Sequence, residues 1–365
     1  MTRLLTAAVL AALVFAPALR ADDAKLGDVK SKRGDEAKAF AEFPKTMLAF
    51  SAKFAKATPE ERKEIVKERP DAKPLIEKAT KLIDADGKDD AALEALVFLA
   101  QYSPQFDAKY FDLLTEHHAT SARVGRACLK AMGRGGLTPE GEKFVTAVMA
   151  KNKNKEPLGI ANYVMAQVQL RSDHDAAALP YLEKIEKFYP DVEIAPGRKL
   201  GQMVKGTIFA IRNLAIGKPV PTVISKDLDD KKVELSGLRG KVVVLDFWAT
   251  WCGPCRAMIP HSNELIKKMK DKPFVLVSVS SDAKKETLTE FLKKNEMPWT
   301  HWWEGTGDTT LSQVWGVSGI PTIYVIDAKG VIRHKQVGFI AGATEQNENF
   351  DKMIEDLVKE AEEKK

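Results

Sequence analysis

Cysteine is scarce. Three in 365 residues are too few for a disulfide-stapled scaffold. Charge of one sign is barely in excess, with a formal net charge of +5 and no long basic block, so no nucleic-acid partner is expected. Glycine (23) and proline (18) are too few and too aperiodic for a collagen-like or low-complexity fibre. Beyond the N-terminus no apolar run reaches the roughly 20 residues that a bilayer span needs. What is present is an ordinary globular mixture, 44% hydrophobic and 29% charged, which excludes disorder as the dominant state. The length points to about two domains.

The N-terminus reads as a secretory signal over residues 1–21. Arg3 precedes the uncharged run Leu4 to Leu19, and small residues allow cleavage after Ala18 or Ala21. The alternative is an uncleaved anchor, the one case in which the chain would touch a membrane. No cysteine lies near the cut to carry a lipid. A periplasmic or otherwise extracytoplasmic location follows, where a disulfide can persist.

Residues 22–212 read as an all-helical domain of helical hairpins. Leu93, Leu96, Val97 and Ala100 fall at i, i+3, i+4 and i+7 of one helix. Tyr181, Leu182, Ile185, Phe188 and Tyr189 repeat the pattern. Asp86-Gly87, Gly133 to Gly136 and Ala195-Pro196-Gly197 are breakers, and Thr138-Pro139-Glu140 is a helix start. Leu158 to Pro190 loosely resembles a tetratricopeptide unit. The stretch 213–222, with Pro219 and Pro221, reads as a linker. From 223 to 365 strands alternate with helices. Val242-Val243-Val244-Leu245 and Phe274 to Val279 are the continuous apolar runs of strands buried on both faces. Ile323 to Ile326 and Val331 to His334 flank a turn at Asp327-Ala328-Lys329-Gly330. Helices are expected at Arg256–Lys270, Lys284–Asn295 and Glu345–Glu360. The order predicts a small α/β sandwich with a mixed sheet.

The chemistry is concentrated at Cys252-Gly253-Pro254-Cys255, between a buried strand and a helix. That spacing lets the sulfurs bond without unwinding the turn. The unpaired N–H groups and dipole of the helix start stabilise a thiolate. Cys252 is therefore the expected nucleophile and Cys255, one turn further in, the resolving thiol. The expected reaction is thiol–disulfide exchange through a mixed disulfide.

Asp246-Phe247-Trp248-Ala249-Thr250-Trp251-Cys252-Gly253-Pro254-Cys255 resembles the active-site stretch of thioredoxin-fold proteins, and Gly319-Ile320-Pro321-Thr322 matches their second signature. Gly217 to Pro221, with Leu235 to Lys241, is similar to the extracytoplasmic TlpA-like branch, so the resemblance spans about residues 215–362. It implies a thioredoxin-like mixed-sheet sandwich and a cis Ile320–Pro321 bond facing the cysteines, presenting backbone groups to an extended substrate segment. Trp251, Gly253 and Pro254 would border that segment, with Trp248 and Trp251 flanking Cys252. Met258 stands where the branch usually carries a glutamate. Asp246 instead matches the buried acid of thioredoxin, implying a raised pKa and proton transfer with Cys255; a strand-end aspartate satisfied by hydrogen bonds is the plainer reading. The Gly-Pro pair is like that of the family's reducing members. No cofactor and no metal are implied, and the partners implied are protein disulfides and an unidentified electron donor.

Two rival functions remain. The helical half could bind a protein partner beside a redox-inactive domain. Peroxidase chemistry is the other, but peroxidases of this fold carry threonine three residues before the reactive cysteine, where this chain has Ala249. A zinc site lacks a second cysteine pair, with only His261 nearby. Cys128 reads as a small buried hydrophobe. His117-His118 points two ways on a helix and makes a poor shared metal site. Trp299, Trp302 and Trp303 read either as packing on a sheet edge or as an exposed substrate-side patch.

Overall fold

The computed structural model describes residues 32–133, 136–172, 174–307, 310–339 and 344–363. The signal reading for residues 1–21 lies outside them. No helix among the described residues is long and apolar enough to cross a membrane. The chain divides into two compact units, Met1–Met203 and Val204–Lys365.

The described part of the first unit is helical. Its helices are α1 (Lys32–Lys56), α2 (Pro59–Ile65), α3 (Lys73–Ala85), α4 (Asp90–Tyr102), α5 (Ala108–Leu113), α6 (Gly125–Ala131), α7 (Pro139–Lys151), α8 (Lys155–Arg171) and α9 (Asp175–Phe188). Two short hairpins interrupt them, β1 (Met132–Gly133) with β2 (Gly136–Leu137), and β3 (Glu193–Ala195) with β4 (Arg198–Lys199). Ala195-Pro196-Gly197 breaks the helical run as expected, by turning a hairpin between two helices. Thr138 caps α7 as its sequence predicts, accepting from the Gly141 N–H at 3.1 Å, with Pro139 at the first position. α4 is not amphipathic as its spacing predicts: every residue from Ala91 to Ala100 is buried. A helix apolar all round sits at the centre of its layer. Its single buried charge, Glu94, is paired with Arg123.

The next helix, α10 (Leu200–Asn213), runs through the division between the units. That division lies upstream of the linker expected at 213–222. The reason is packing: Phe209, Ala210 and Leu214 belong to the apolar cluster of the second unit. Gly206 makes this possible. A Cβ there would lie 2.7 Å from the Gly316 Cα and would overlap the Gln313 carbonyl, so two backbones pass with no room for a side chain.

The second unit opens with a hairpin, β5 (Ile224–Lys226) and β6 (Lys232–Glu234), followed by a five-stranded sheet. The strands are β7 (Val242–Trp248), β8 (Phe274–Ser280), β9 (Thr300–Trp303), β10 (Thr322–Ile326) and β11 (Ile332–Val337), in the order β11-β10-β7-β8-β9. β7, β8 and β9 are parallel, and β10 is antiparallel to both β7 and β11. This is the mixed sheet the pattern predicts, with the β10–β11 hairpin at the expected turn. β7 is central and wholly buried, which is why its apolar run does not alternate. The helices are α11 (Gly253–Lys268), α12 (Lys285–Leu292), α13 (Leu311–Val314) and α14 (Thr344–Glu362). One sheet face packs Val243, Leu245, Phe247, Val277 and Val279 against Trp315 and Leu214. The other packs Val242, Val244, Leu276 and Val325 against α11 and α14 through Met258, Leu265, Ile354 and Leu357. Trp302 and Trp303 lie in the edge strand β9 and Trp299 just before it, and all three pack into apolar clusters, as the packing reading expects.

Candidate functional site

β7 ends at Trp248, and four residues later the chain enters α11. Cys252 is the N-cap of that helix, in extended conformation (φ −82°, ψ 106°), with Gly253 and Pro254 in the first turn. An N-cap normally offers a side-chain oxygen to the first free N–H groups. Here the acceptor is sulfur: the Cys255 N–H donates to Cys252 Sγ at 3.2 Å. Cys252 and Cys255 are joined in a disulfide with their Cα atoms 5.3 Å apart. Both are buried, at 5% and 2% exposure. They sit in a small cluster with Trp248, Ala249 and Leu288, against which Phe291 and Ile320 pack.

The loop ahead of Cys252 is tied down by a residue that sequence reading misses. Asp282, 1% exposed, follows β8. Its carboxylate accepts from the Thr250 hydroxyl at 2.7 Å, from the Thr250 N–H at 3.1 Å and from the Ser280 hydroxyl at 2.8 Å. Its carbonyl accepts from the Trp303 indole at 2.8 Å. No local pattern marks it, because parallel pairing of β7 with β8 brings it there from 32 residues away. The available signal was the polar run Ser280-Ser281-Asp282 at the end of a largely apolar strand.

The Ile320–Pro321 peptide bond is cis. The Ile320 carbonyl oxygen lies 3.7 Å from Cys252 Sγ, so the second signature is placed against the first. The Pro321 carbonyl points elsewhere and accepts from the Gly338 N–H at 2.8 Å. Pro321 is buried and Ile320 half-buried, whereas Trp251 is 69% exposed and Gly253 and Pro254 are exposed. A shallow groove beside the pair is lined by Gly253, Arg256, Ala257, Ile259, Pro260 and Asn295.

Asp246 lies on β7 at 5% exposure, on the sheet face covered by α11. Burial pushes its carboxyl up to about 7, opposed only by the Ser278 hydroxyl, which donates to Oδ2 at 3.3 Å. Oδ1 is buried with no hydrogen-bond partner among the described residues. This is not a strand-end aspartate satisfied by hydrogen bonds. Met258, where the branch has its glutamate, is buried in the apolar core and offers no acid.

The other singled-out residues lie apart from the pair. Cys128 is fully buried in α6, and burial raises its thiol. His118 Nε2 donates to the Gly87 carbonyl at 3.1 Å, while His117 is a separate, more exposed ring. His261 pairs with Asp351 at 2.9 Å. No group of three or more His, Cys, Asp or Glu among the described residues is placed to hold a metal ion.

Residues 216–335 match the AhpC/TSA family. A thiol-disulfide oxidoreductase ResA of Bacillus cereus is 33% identical over 125 residues, covering 34% of this chain and 71% of that protein. The thioredoxin-like protein YneN of Bacillus subtilis is 34% identical over 124 residues, 33% of this chain and 71% of its own. Among solved structures, a putative thiol:disulfide interchange protein DsbE from Chlorobium tepidum is 35% identical, covering 38% of this chain and 97% of its own with a TM-score of 0.34. The sulfur pair at the start of α11 falls within the residues 216–335 that match the family. Through that segment the chain belongs to the AhpC/TSA family, among its thioredoxin-fold thiol–disulfide oxidoreductases.

Proposed function

We propose that the chain works outside the cytoplasm and uses its Cys-Gly-Pro-Cys pair to reduce protein disulfides. The observation that carries this is the N-cap geometry. A Cys252 sulfur that accepts the Cys255 N–H, at the positive end of α11, is held as a stable thiolate once the pair is reduced. That thiolate attacks one sulfur of a substrate disulfide. The Cys252–substrate bond forms as the substrate S–S bond breaks, and one substrate sulfur leaves as a thiolate that takes a proton from water. Cys255 then gives its proton to the Asp246 carboxylate and attacks Cys252 Sγ. The second substrate sulfur leaves as a thiolate and is protonated in turn by water, and the Cys252–Cys255 disulfide of the structure remains. Two electrons pass to the substrate, and an external dithiol donor must return them.

The roles follow exposure and chemistry. Cys255, inside the first turn of α11 and the more buried of the two, suits resolution. Asp246, its carboxyl pushed up to about 7, is partly carboxylate near neutral pH, and that form is suited to take one proton. Trp251, Gly253, Pro254 and Ile320, with Pro321 fixing the turn, form the surface on which an extended substrate segment would lie. The signal-like residues 1–21 support export, and the Gly-Pro pair supports the reducing direction. The helical unit is assigned partner docking or spacing. Peroxidase chemistry fits poorly: Ala249 has no hydroxyl, and the Thr250 hydroxyl is committed to Asp282.

The test uses the full chain. The reduced protein should reduce insulin disulfides with a dithiol donor present. Cys255→Ser should accumulate a mixed disulfide on Cys252, and Cys252→Ser should accumulate almost none. Absence of turnover with an intact pair, or equal trapping by both variants, overturns the proposal.

A further inference from the structure

Asp246, Ser278 and His301 are register partners on β7, β8 and β9, so they form one polar row across an otherwise apolar face. All three are buried. Ser278 Oγ lies between two groups: the Trp299 indole N–H donates to it at 2.9 Å, and it reaches Asp246 Oδ2 at 3.3 Å. An indole nitrogen can only donate. A hydroxyl that accepts from it must aim its own single proton elsewhere, and the acceptor in reach is Asp246 Oδ2. Trp299 therefore fixes the direction of a two-bond chain that ends on the carboxylate. The last bond is longer than the usual O–H···O distance of about 2.7–2.8 Å, so it holds the charge only lightly.

We propose that Trp299 and Ser278 are positioning residues that together set the titration of Asp246, with Trp299 acting through the Ser278 hydroxyl. Among the described residues no charged side chain hydrogen-bonds to Asp246. On α11 the enclosed titratable groups are Cys252 and Cys255, joined in the oxidised protein, and His261, paired with Asp351 of α14, while Arg256, Glu264, Lys267 and Lys268 are exposed. On β9 there is His301, whose pKa burial lowers, with Nε2 donating to the Met297 carbonyl at 3.0 Å. β10 places Ile323 opposite Asp246, and α14 adds Ile354 and Leu357. The inference rests on the assignment of Asp246 as proton acceptor only for its effect on rate.

The experiment is a carboxyl-carbon NMR titration of Asp246 in the oxidised full-length protein, where neither active-site thiol titrates beside it. Ser278→Ala removes the donor to the carboxylate and should raise the midpoint by about 0.5 to 1 pH unit. Trp299→Phe keeps an aromatic ring but frees the hydroxyl to turn, and should raise the midpoint by a smaller amount. In the double variant the Trp299→Phe effect should vanish, since its route is gone. Unchanged midpoints in both single variants, or shifts that simply add, overturn the inference. The pH profile of insulin reduction is read alongside. If the NMR midpoint moves and the rate profile stays, the positioning role stands and Asp246 as proton acceptor falls.

Discussion

Replacing Asp246 by Asn should change how stability depends on pH, and the size of the change follows from the burial of this one carboxyl. Its ordinary value is 3.8, and folding raises it to about 7. Across that interval the native state holds a proton that the unfolded chain releases. The stability tied to that proton is complete below 3.8 and gone once the pH passes about 7. One pH unit inside the window is worth about 1.4 kcal/mol. Between pH 5 and pH 8 the wild type should therefore lose about 2.5 kcal/mol that Asp246→Asn does not lose. The asparagine has a cost of its own in a site with an unpartnered oxygen, but an amide does not titrate. That cost is the same at both pH values and cancels. All six tryptophans lie between residues 248 and 315, so their fluorescence reports unfolding of the second unit alone. Urea unfolding of both oxidised proteins at the two pH values gives the difference directly. If the two proteins lose stability in parallel from pH 5 to pH 8, Asp246 does not hold a proton in the folded state, and its proposed part in exchange goes with it.

Asp282→Ala should leave the Thr250 hydroxyl, its N–H and the Ser280 hydroxyl without their acceptor. A stability loss of about 3 kcal/mol is expected, read as a lower unfolding midpoint together with slower insulin reduction. A loss below about 0.5 kcal/mol would mean that the loop before Cys252 is held by other contacts. Gly206→Ala places a methyl group against the Gly316 backbone and should cost about 1–3 kcal/mol in the same fluorescence transition; an unaffected transition would refute the close packing of α10. Cys128, enclosed and hard to ionise, should resist iodoacetamide in the native protein and react in urea, as mass spectrometry of the peptide would show. Ready native labelling would contradict its burial.

The elements that carry the sulfur pair were legible for a physical reason. β7 and β8 are covered on both faces, so their apolar runs are continuous, and the cysteines stand where such a run meets a helix. β9 was harder to read. Its tryptophans and His301 alternate between the two sheet faces, and aromatic residues in so short a stretch signal packing as readily as a strand. Asp246 was visible because it stands close to Cys252 along the chain. Ser278 and Asp282 were not, since only the register of two parallel strands brings them to it and to Thr250. The division of the chain within α10 was hidden for a related reason. Helical periodicity runs unbroken through α10, while the change of packing partner within that helix leaves no local mark.

That last feature governs how the protein can be dissected. A fragment cut at the Gly217-Lys218-Pro219 stretch would discard Phe209, Ala210 and Leu214 and uncover the apolar surface beneath them, where Trp315 and Phe247 meet at 5.8 Å. Poor solubility of such a fragment would reflect a missing wall, not a need for the helices upstream. An autonomous redox fragment has to begin within α10, ahead of Gly206.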